Sequence, residues 1–500
     1  MSSSTRTASP VAPPLAEPSS SRAMPALMSA CVVVVVAMVA AINLALPKLS
    51  GSDLQPTSTQ LLWIVDAYIL VFGGLLIFAG SLADRVGRKG VLIPGLGLFA
   101  AGCFVSGWAA TTAVVLSGRV ISGAGAALVM PATLSLLLQV TPPHRKAQAI
   151  AGWSAATGAA GALGNLGGGL ILQWLPWQGL FLLFGPLALI LAVVVARIAP
   201  RGERHPANLD PAGAILLTAA VFALLFGIIE GPEHGWRSPL VMASFAAAIA
   251  FVAGFAVHAL RTVNPLLDPR IFRIAKLRTG TIGVTAVFFG LFALFFVNAQ
   301  YLQYAKGHSP LATGIAILPL PITVIVVSRR SVALAARVGS RTVVTGGMLL
   351  LSAGLTAMSF MTATTSYPPY GLALLVIALG MGLSVPALST GIVTSLPTAQ
   401  AGTGSGLNSA VREVGSALGV AVIGTILTSK FVSAVPAELQ GHAESTSQTL
   451  RAALELGATV HAQTVTAFTD AMALGFRVVA AIVVVSAIVV AAGARTTHDH

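Results

Sequence analysis

The sequence predicts an all-α polytopic membrane protein with fourteen transmembrane helices, and three observations carry that prediction. First, 56% of its 500 residues are hydrophobic and only 9% are charged, against about 25% charged in soluble domains; mean hydropathy is +0.88. Second, the apolar residues gather into runs of roughly 20, the length needed to cross a bilayer. Third, Lys and Arg fall in short clusters between those runs, as the positive-inside rule demands of cytoplasmic loops. A net charge of +13 distributed in this way marks a membrane protein, and nucleic acid is not an expected partner.

The runs lie at about 26–46, 61–83, 91–110, 113–139, 147–173, 178–198, 211–230, 239–260, 280–303, 311–334, 342–361, 371–395, 404–429 and 470–493. Ahead of them, residues 1–24 are Ser/Pro/Ala-rich, a composition that does not fold, and the first run is long enough to be a retained span rather than a cleaved signal. With the N-terminus placed in the cytoplasm, twenty of the 28 Lys and Arg fall inside, six fall outside or near it, and Arg119 and Arg412 lie within the membrane. Both termini are then cytoplasmic, as an even number of spans requires. The long polar segment 430–469 falls outside; PAELQGHAESTSQTLRAALEL within it has the makings of an amphipathic helix, although a solvated connector is the plainer reading.

Cys31 and Cys103 sit inside apolar runs and read as buried free thiols, neither a disulfide pair nor a metal site. GTGSG at 402–406 has the look of a phosphate-binding turn, but no strand precedes it and a membrane helix follows. No motif of the H-E-x-x-H or G-x-S-x-G type is present. No cofactor or metal is expected, and enzymatic activity is not.

Four segments carry more specific information. GSLADRVGRKG (80–90) joins the second and third spans, with Gly80 and Gly87 bracketing Asp84 and with Arg85, Arg88 and Lys89 following. It resembles the G-x-L-x-D-R-x-G-R-K loop of the major facilitator superfamily. That resemblance implies a fold of two six-helix bundles and a gating role for this loop, whose aspartate pairs with basic groups of neighbouring helices. AARVGSRTVV (335–344) is a degenerate echo, without the acid, at the corresponding place in the second half, as internal repeats produce. LSGRVISGAGAALVMPATLSLL (116–137) resembles the superfamily's R-x-x-x-G-x-G motif, with Arg119, Gly123 and Gly125 in place; there the arginine is linked to proton coupling. GAAGALGNLGGGLI (158–171) resembles the G-x-x-x-G-P-x-x-G-G motif of its drug:proton antiporters. Gly164, Gly168 and Gly169 fit, while Ala160 stands for a glycine and Asn165 for the proline; small residues four apart let helices approach closely.

The span count, with INLALPKL (42–49), LLWIVDAY (61–68), YLQYAKGHSPLATGIAILPLP (301–321) and GTGSGLNSAVREVGSALGVAVIGTIL (402–427), makes the chain similar to the fourteen-span drug:proton antiporters, the EmrB/QacA group. The resemblance implies a bundle over 25–204, two extra central helices over 205–268, a second bundle over 269–494 and a tail over 495–500. It also implies a place in the bacterial cytoplasmic membrane and small drug-like substrates exchanged for protons, with a monomer as the expected unit. The acid that the group often carries in its first helix is missing, Met38 standing in its place.

Of the 15 acids, only Asp66 and Glu413 lie well inside spans. A charge at membrane depth costs about 2.5–3.5 kcal/mol on insertion scales and marks function by default. A carboxyl stripped of water favours its protonated form, so Asp66, Glu413 or both are candidate proton carriers, with Arg119 and Arg412 as candidate partners. By analogy with the fold, Asp66 faces Arg412 or Glu413 between the two bundles. Gln60, Trp63 and Asp66, three residues apart, suggest a stripe able to hold a hydrophobic cation by charge and by the ring face. A structural ion pair of Asp66 with Arg412 or Arg119 is the rival reading. For the whole protein the rivals are a narrow exporter of one secondary metabolite or antibiotic, and a membrane sensor or scaffold that transports nothing.

Overall fold

The computed structural model describes residues 20–142, 145–200, 210–396, 401–442 and 446–493, and every regular element among them is helical. The first six helices, α1 (Ser20–Ser50), α2 (Ser58–Val86), α3 (Arg88–Gly107), α4 (Thr112–Val140), α5 (Lys146–Trp174) and α6 (Gln178–Ile198), pack on one another. A hairpin of α7 (Pro211–His234) and α8 (Pro239–Arg261) follows. Then come α9 (Ala275–Gln300), α10 (Pro310–Ile317), α11 (Pro319–Val338), α12 (Ser340–Met358), α13 (Tyr367–Thr394), α14 (Ala401–Ala434), α15 (Thr446–Leu456) and α16 (Ala458–Gly493). Of these, α9, α11–α14 and α16 form the second packed group.

Thirteen helices among the described residues are long and apolar enough to cross a membrane. The expected fifth span is α5, whose 29 residues reach far enough at 1.5 Å each. The expected tenth span is not one straight rod. It breaks between α10 and α11 at Leu318, because Pro319 and Pro321 cannot donate to the preceding turn. The segment after α14 also departs from a solvated connector. α14 runs on to Ala434, and α15 lays Leu450 and Ala453 into the core while Arg451 donates to the Gly51 carbonyl at 3.1 Å. Of the expected tails 1–24 and 495–500, residues 1–19 and 495–500 lie outside the described residues, whereas 20–24 are not unfolded but form the first turn of α1.

Two turns show the internal repeat in the backbone itself. Gly87, between α2 and α3, has φ 104° and ψ 134°; Gly339, between α11 and α12, has φ 91° and ψ 135°. That region is essentially closed to residues with a Cβ, which explains why the two loops share a glycine while their charges diverge. The packing repeats as well. On α5, a Cβ at Gly164 would collide with the Ala37 carbonyl of α1, and one at Gly168 would come within 2.8 Å of Ala41. On α14, Gly415 and Gly419 bear in the same way on the backbone of Thr285 and Phe289 of α9. In α4, Gly123 lies against Tyr68 of α2 and Gly125 against Phe99 of α3, so each motif glycine seats a different neighbour.

The α7–α8 hairpin is fastened by Asp210, the N-cap of α7. Its Oδ1 accepts from the Gly213 N–H at 2.8 Å and lies 2.7 Å from His258 Nε2 of α8, and its Oδ2 accepts from the Leu266 N–H at 2.9 Å. Burial opposes the charge, but the amides of Leu266 and Gly213, with His258, outweigh it and hold the carboxyl below its ordinary value of 3.8. A carboxylate depressed by folding adds stability that is full above the ordinary value and is lost as the pH falls through the folded one. Asp210→Ala is therefore expected to destabilise by about 1–3 kcal/mol at neutral pH and by less in acid. Melting temperature measured against pH reads both.

Candidate functional site

The site is built on the contact between α2 and α14. Leu62 of α2 packs over Gly424, and Gly73 lies over the Cβ of Glu413, so the two helices run antiparallel in a fixed register. That register sets Asp66 at the level of Val420, a buried residue of α14. Asp66 is 0% exposed, and neither carboxylate oxygen has a hydrogen-bond partner among the described residues. Glu413 sits seven residues along the interface, about 10 Å at 1.5 Å per residue. The two acids therefore share one seam and do not oppose each other.

The expected ion pairs of Asp66 do not form among the described residues, for a geometric reason. Arg119 approaches α2 from α4: its Nε donates to the Ile64 carbonyl at 2.7 Å and its guanidinium lies 4.4 Å from the Tyr68 ring centroid. Positions 64 and 66 point about 160° apart on a helix, which keeps Arg119 away from the α14 side where Asp66 lies. Arg119 is itself 0% exposed, with both terminal nitrogens unpartnered among the described residues. Tyr68 is anchored by donating to the Val35 carbonyl at 2.9 Å. Arg412 turns onto the Phe288 ring, 4.4 Å from its centroid.

The stripe of Gln60, Trp63 and Asp66 also separates. Gln60 is spent on the N-terminus of α2, where it and Thr57 form a reciprocal capping box. Trp63 faces the extra hairpin: its Nε1 donates to Glu230 Oε1 at 2.8 Å, and Phe222 and Phe226 flank the ring at 5.6 and 6.1 Å. His234 holds the other oxygen of Glu230 at 3.3 Å. Only Asp66 of the three lies in the α2–α14 seam.

Between the two helix groups lies a central cavity of about 130 Å³, lined by Val36, Phe72, Asn165, Phe292, Arg412 and Glu413 among others. Phe288, Phe292 and Phe295 form an aromatic wall on α9; their spacing of four and three in FFGLFALFF is the sequence signal for it. Asn165 donates to the Gly161 carbonyl at 3.0 Å, one turn back, so α5 continues where a proline would have kinked it. Met38 is fully buried and leaves no charge at its place in α1.

In the 80–90 loop, Arg88 donates to the Ser135 carbonyl of α4 at 2.9 Å. Lys89 reaches the C-terminal carbonyls of α6 at Ala196 and Ala199, 2.8 and 2.6 Å away, where a cation suits the helix dipole. Arg85 is exposed, a Cβ at Gly80 would make ordinary contact with Pro131 at 3.8 Å, and the side chain of Asp84 lies outside the described residues. Bridges between the two helix groups gather toward the face away from this loop. Gln303 donates to the Leu44 carbonyl at 3.2 Å, and Gly169 and Gly314 seat α5 against α10. Toward the other end of α5, a Cβ at Gly152 would have nothing within 4 Å.

Two packed helix groups with buried acids on the seam between them and a cavity at their centre define a polytopic membrane transporter. The chain belongs to the Major Facilitator Superfamily, whose family model matches residues 28–420, and it is a multi-pass protein of the bacterial cytoplasmic membrane. It is 33% identical over 355 residues to the methylenomycin A resistance protein of Streptomyces coelicolor, covering 70% of this chain and 74% of that one. It is 29% identical over 393 residues to the multidrug efflux pump LfrA of Mycolicibacterium smegmatis, covering 78% of each. Among solved structures it matches a bacterial homologue of the human lysosomal transporter Spinster, in an inward-facing and unoccupied conformation. The TM-score is 0.72 at 16% identity, over 96% of this chain and 98% of the other.

Proposed function

We propose that this protein exports amphipathic small molecules, organic cations among them, from the bacterial cytoplasm in exchange for protons, by rocking of its two helix bundles. The observation that carries the reading is Asp66, fully buried and unpartnered on the seam where the bundles meet. An ionised carboxylate without a partner costs several kcal/mol in such a place, so in this conformation Asp66 carries a proton. Releasing it requires the seam to open to water or to a cation, and rocking does that. Glu413, on the same seam and on the central cavity, gives a substrate cation a place to compete with a proton. Both termini and the 80–90 loop face the cytoplasm in this reading, and the outward face is the one the bridges close. The relatives, a methylenomycin A resistance protein and a multidrug efflux pump among them, support the export direction and the drug-like substrate class.

The driving force is adequate. Each net charge moved through about 150 mV gains roughly 3.5 kcal/mol, enough to sustain a gradient of about two to three decades per net charge. In energised everted vesicles, adding a transported drug should release protons from the lumen; a panel of cationic and neutral drugs that moves none would overturn the exchange.

One observation favours a second reading. The methylenomycin A relative is named for a single antibiotic, which suits a narrow exporter. Protection against one compound, with none against several dyes and quaternary amines, would select it over the broad pump.

A further inference from the structure

A second cavity, of about 340 Å³, lies beside the central one, between α2, α7, α8, α14 and the segment that follows α8. Leu70, Leu217, Val221, Phe255 and Phe272 make its wall apolar, and no lining residue is basic. The carboxylate of Glu413 is the one charge in it, and Glu413 lines the central cavity as well. That carboxylate has no hydrogen bond or ion pair among the described residues. Glycine at position 73 lets α14 come directly against α2 at this level: the Cβ of Glu413 lies over it, and any Cβ there would collide.

The placement of the hairpin gives the cavity its shape. Toward the outward face, α7 is tied to α2 by Trp63 and Glu230 and to α14 by Thr425, whose hydroxyl donates to the Ile228 carbonyl at 2.9 Å. Toward the basic face α2 and α7 meet again at Gly74 and Thr218, and the cavity lies between them, α8 and α14. Val252 lines it and is 55% exposed, so it reaches the outer surface of the helical bundle. Its volume falls within the range of small-molecule sites, about 300–1,000 Å³, whereas the central cavity in this conformation does not.

We infer that this lateral cavity binds the apolar body of a monovalent organic cation, whose charge is met by Glu413. The binding site stands on its own geometry and does not rest on the export reading above. A single carboxylate in an apolar wall suits one diffuse positive charge, while an anionic lipid headgroup would find no cation there.

Binding of tetraphenylphosphonium and of the smaller tetrapropylammonium to the purified full-length protein tests this. Ala256→Phe fills the cavity from α8 and should weaken tetraphenylphosphonium by about tenfold or more while sparing the smaller ion. Leu217→Ala enlarges the cavity and should shift preference toward the larger ion, the opposite direction, which a misfolded variant would not do. Glu413→Gln should weaken both ions. Ile249→Phe, on the exposed side of α8 at 72% exposure, should change neither. Unchanged affinities in Ala256→Phe and Leu217→Ala would overturn the site, as would absence of tetraphenylphosphonium binding by the wild type. Equal binding of a neutral analogue, insensitive to Glu413→Gln, would make this an acyl-chain cavity. Drug-linked proton release in vesicles can survive any of these failures, so the lateral site and the export reading fall separately.

Discussion

Asp66→Asn should reduce drug-linked proton release to below about one tenth of the wild-type rate, a change of at least about 1.4 kcal/mol on the transport barrier, at equal protein level. The amide keeps the volume and loses the proton. If Asp66 were one half of a structural ion pair, its replacement would strand a buried arginine and destabilise the protein by about 3–5 kcal/mol. No such pair exists among the described residues: Arg119 is turned to Ile64 and Tyr68, and Arg412 to Phe288. Removing the acid altogether should then stabilise. Asp66→Val, close in size and fully apolar, is expected to gain about 1–3 kcal/mol, the desolvation penalty of an unsatisfied buried group, while exchanging no protons. Higher melting temperature together with lost exchange would mark a residue kept for function at a cost in stability. Unchanged exchange in Asp66→Asn would move the coupling to Glu413.

The acid was legible in the sequence because nothing else in LLWIVDAYIL is charged. Its surroundings were not, because they depend on which face each α2 residue takes. Gln60 follows Thr57 by three residues, the pattern of a capping box, and local hydrogen bonding claimed it before any substrate could. Trp63 found its partner 167 residues away, in Glu230, which no local spacing encodes. The spans themselves were legible since bilayer thickness fixes their length and loop charge their orientation, but helix breaks inside them were weaker signals. P-L-P at 319–321 announced the break at Leu318 and was read through as one span. In α15, polar residues outnumber apolar ones, yet two apolar positions three apart suffice to dock it. The G-x-x-x-G of α14, at Gly415 and Gly419, stands equally in the sequence, but only its contact with α9 distinguishes it from other glycine pairs, whereas α5 stands out by its resemblance.

Those glycines carry the other large expected effect. A Cβ added at Gly164 or Gly419 would land on a backbone carbonyl, of Ala37 or Phe289, and a carbonyl within a helix cannot rotate away as a side chain can. The helices must separate instead, and in a membrane they are held chiefly by the close packing that separation removes. Gly164→Ala and Gly419→Ala are each expected to cost about 1–3 kcal/mol, the range of core overpacking, and Gly164→Leu or Gly419→Leu to prevent accumulation of folded protein. Gly167, three residues along the same helix as Gly164, has nothing within 4 Å of its would-be Cβ. There Gly167→Ala should be neutral or stabilise by up to about 1 kcal/mol, because alanine loses less backbone entropy in a helix. Melting in detergent compares all three. Equal losses at Gly164 and Gly419 with none at Gly167 would show that the two bundles rest on the same joint, α1 on α5 and α9 on α14. A loss at Gly167 equal to the others would instead reduce the effect to general sensitivity of these helices, and the packing account would fail.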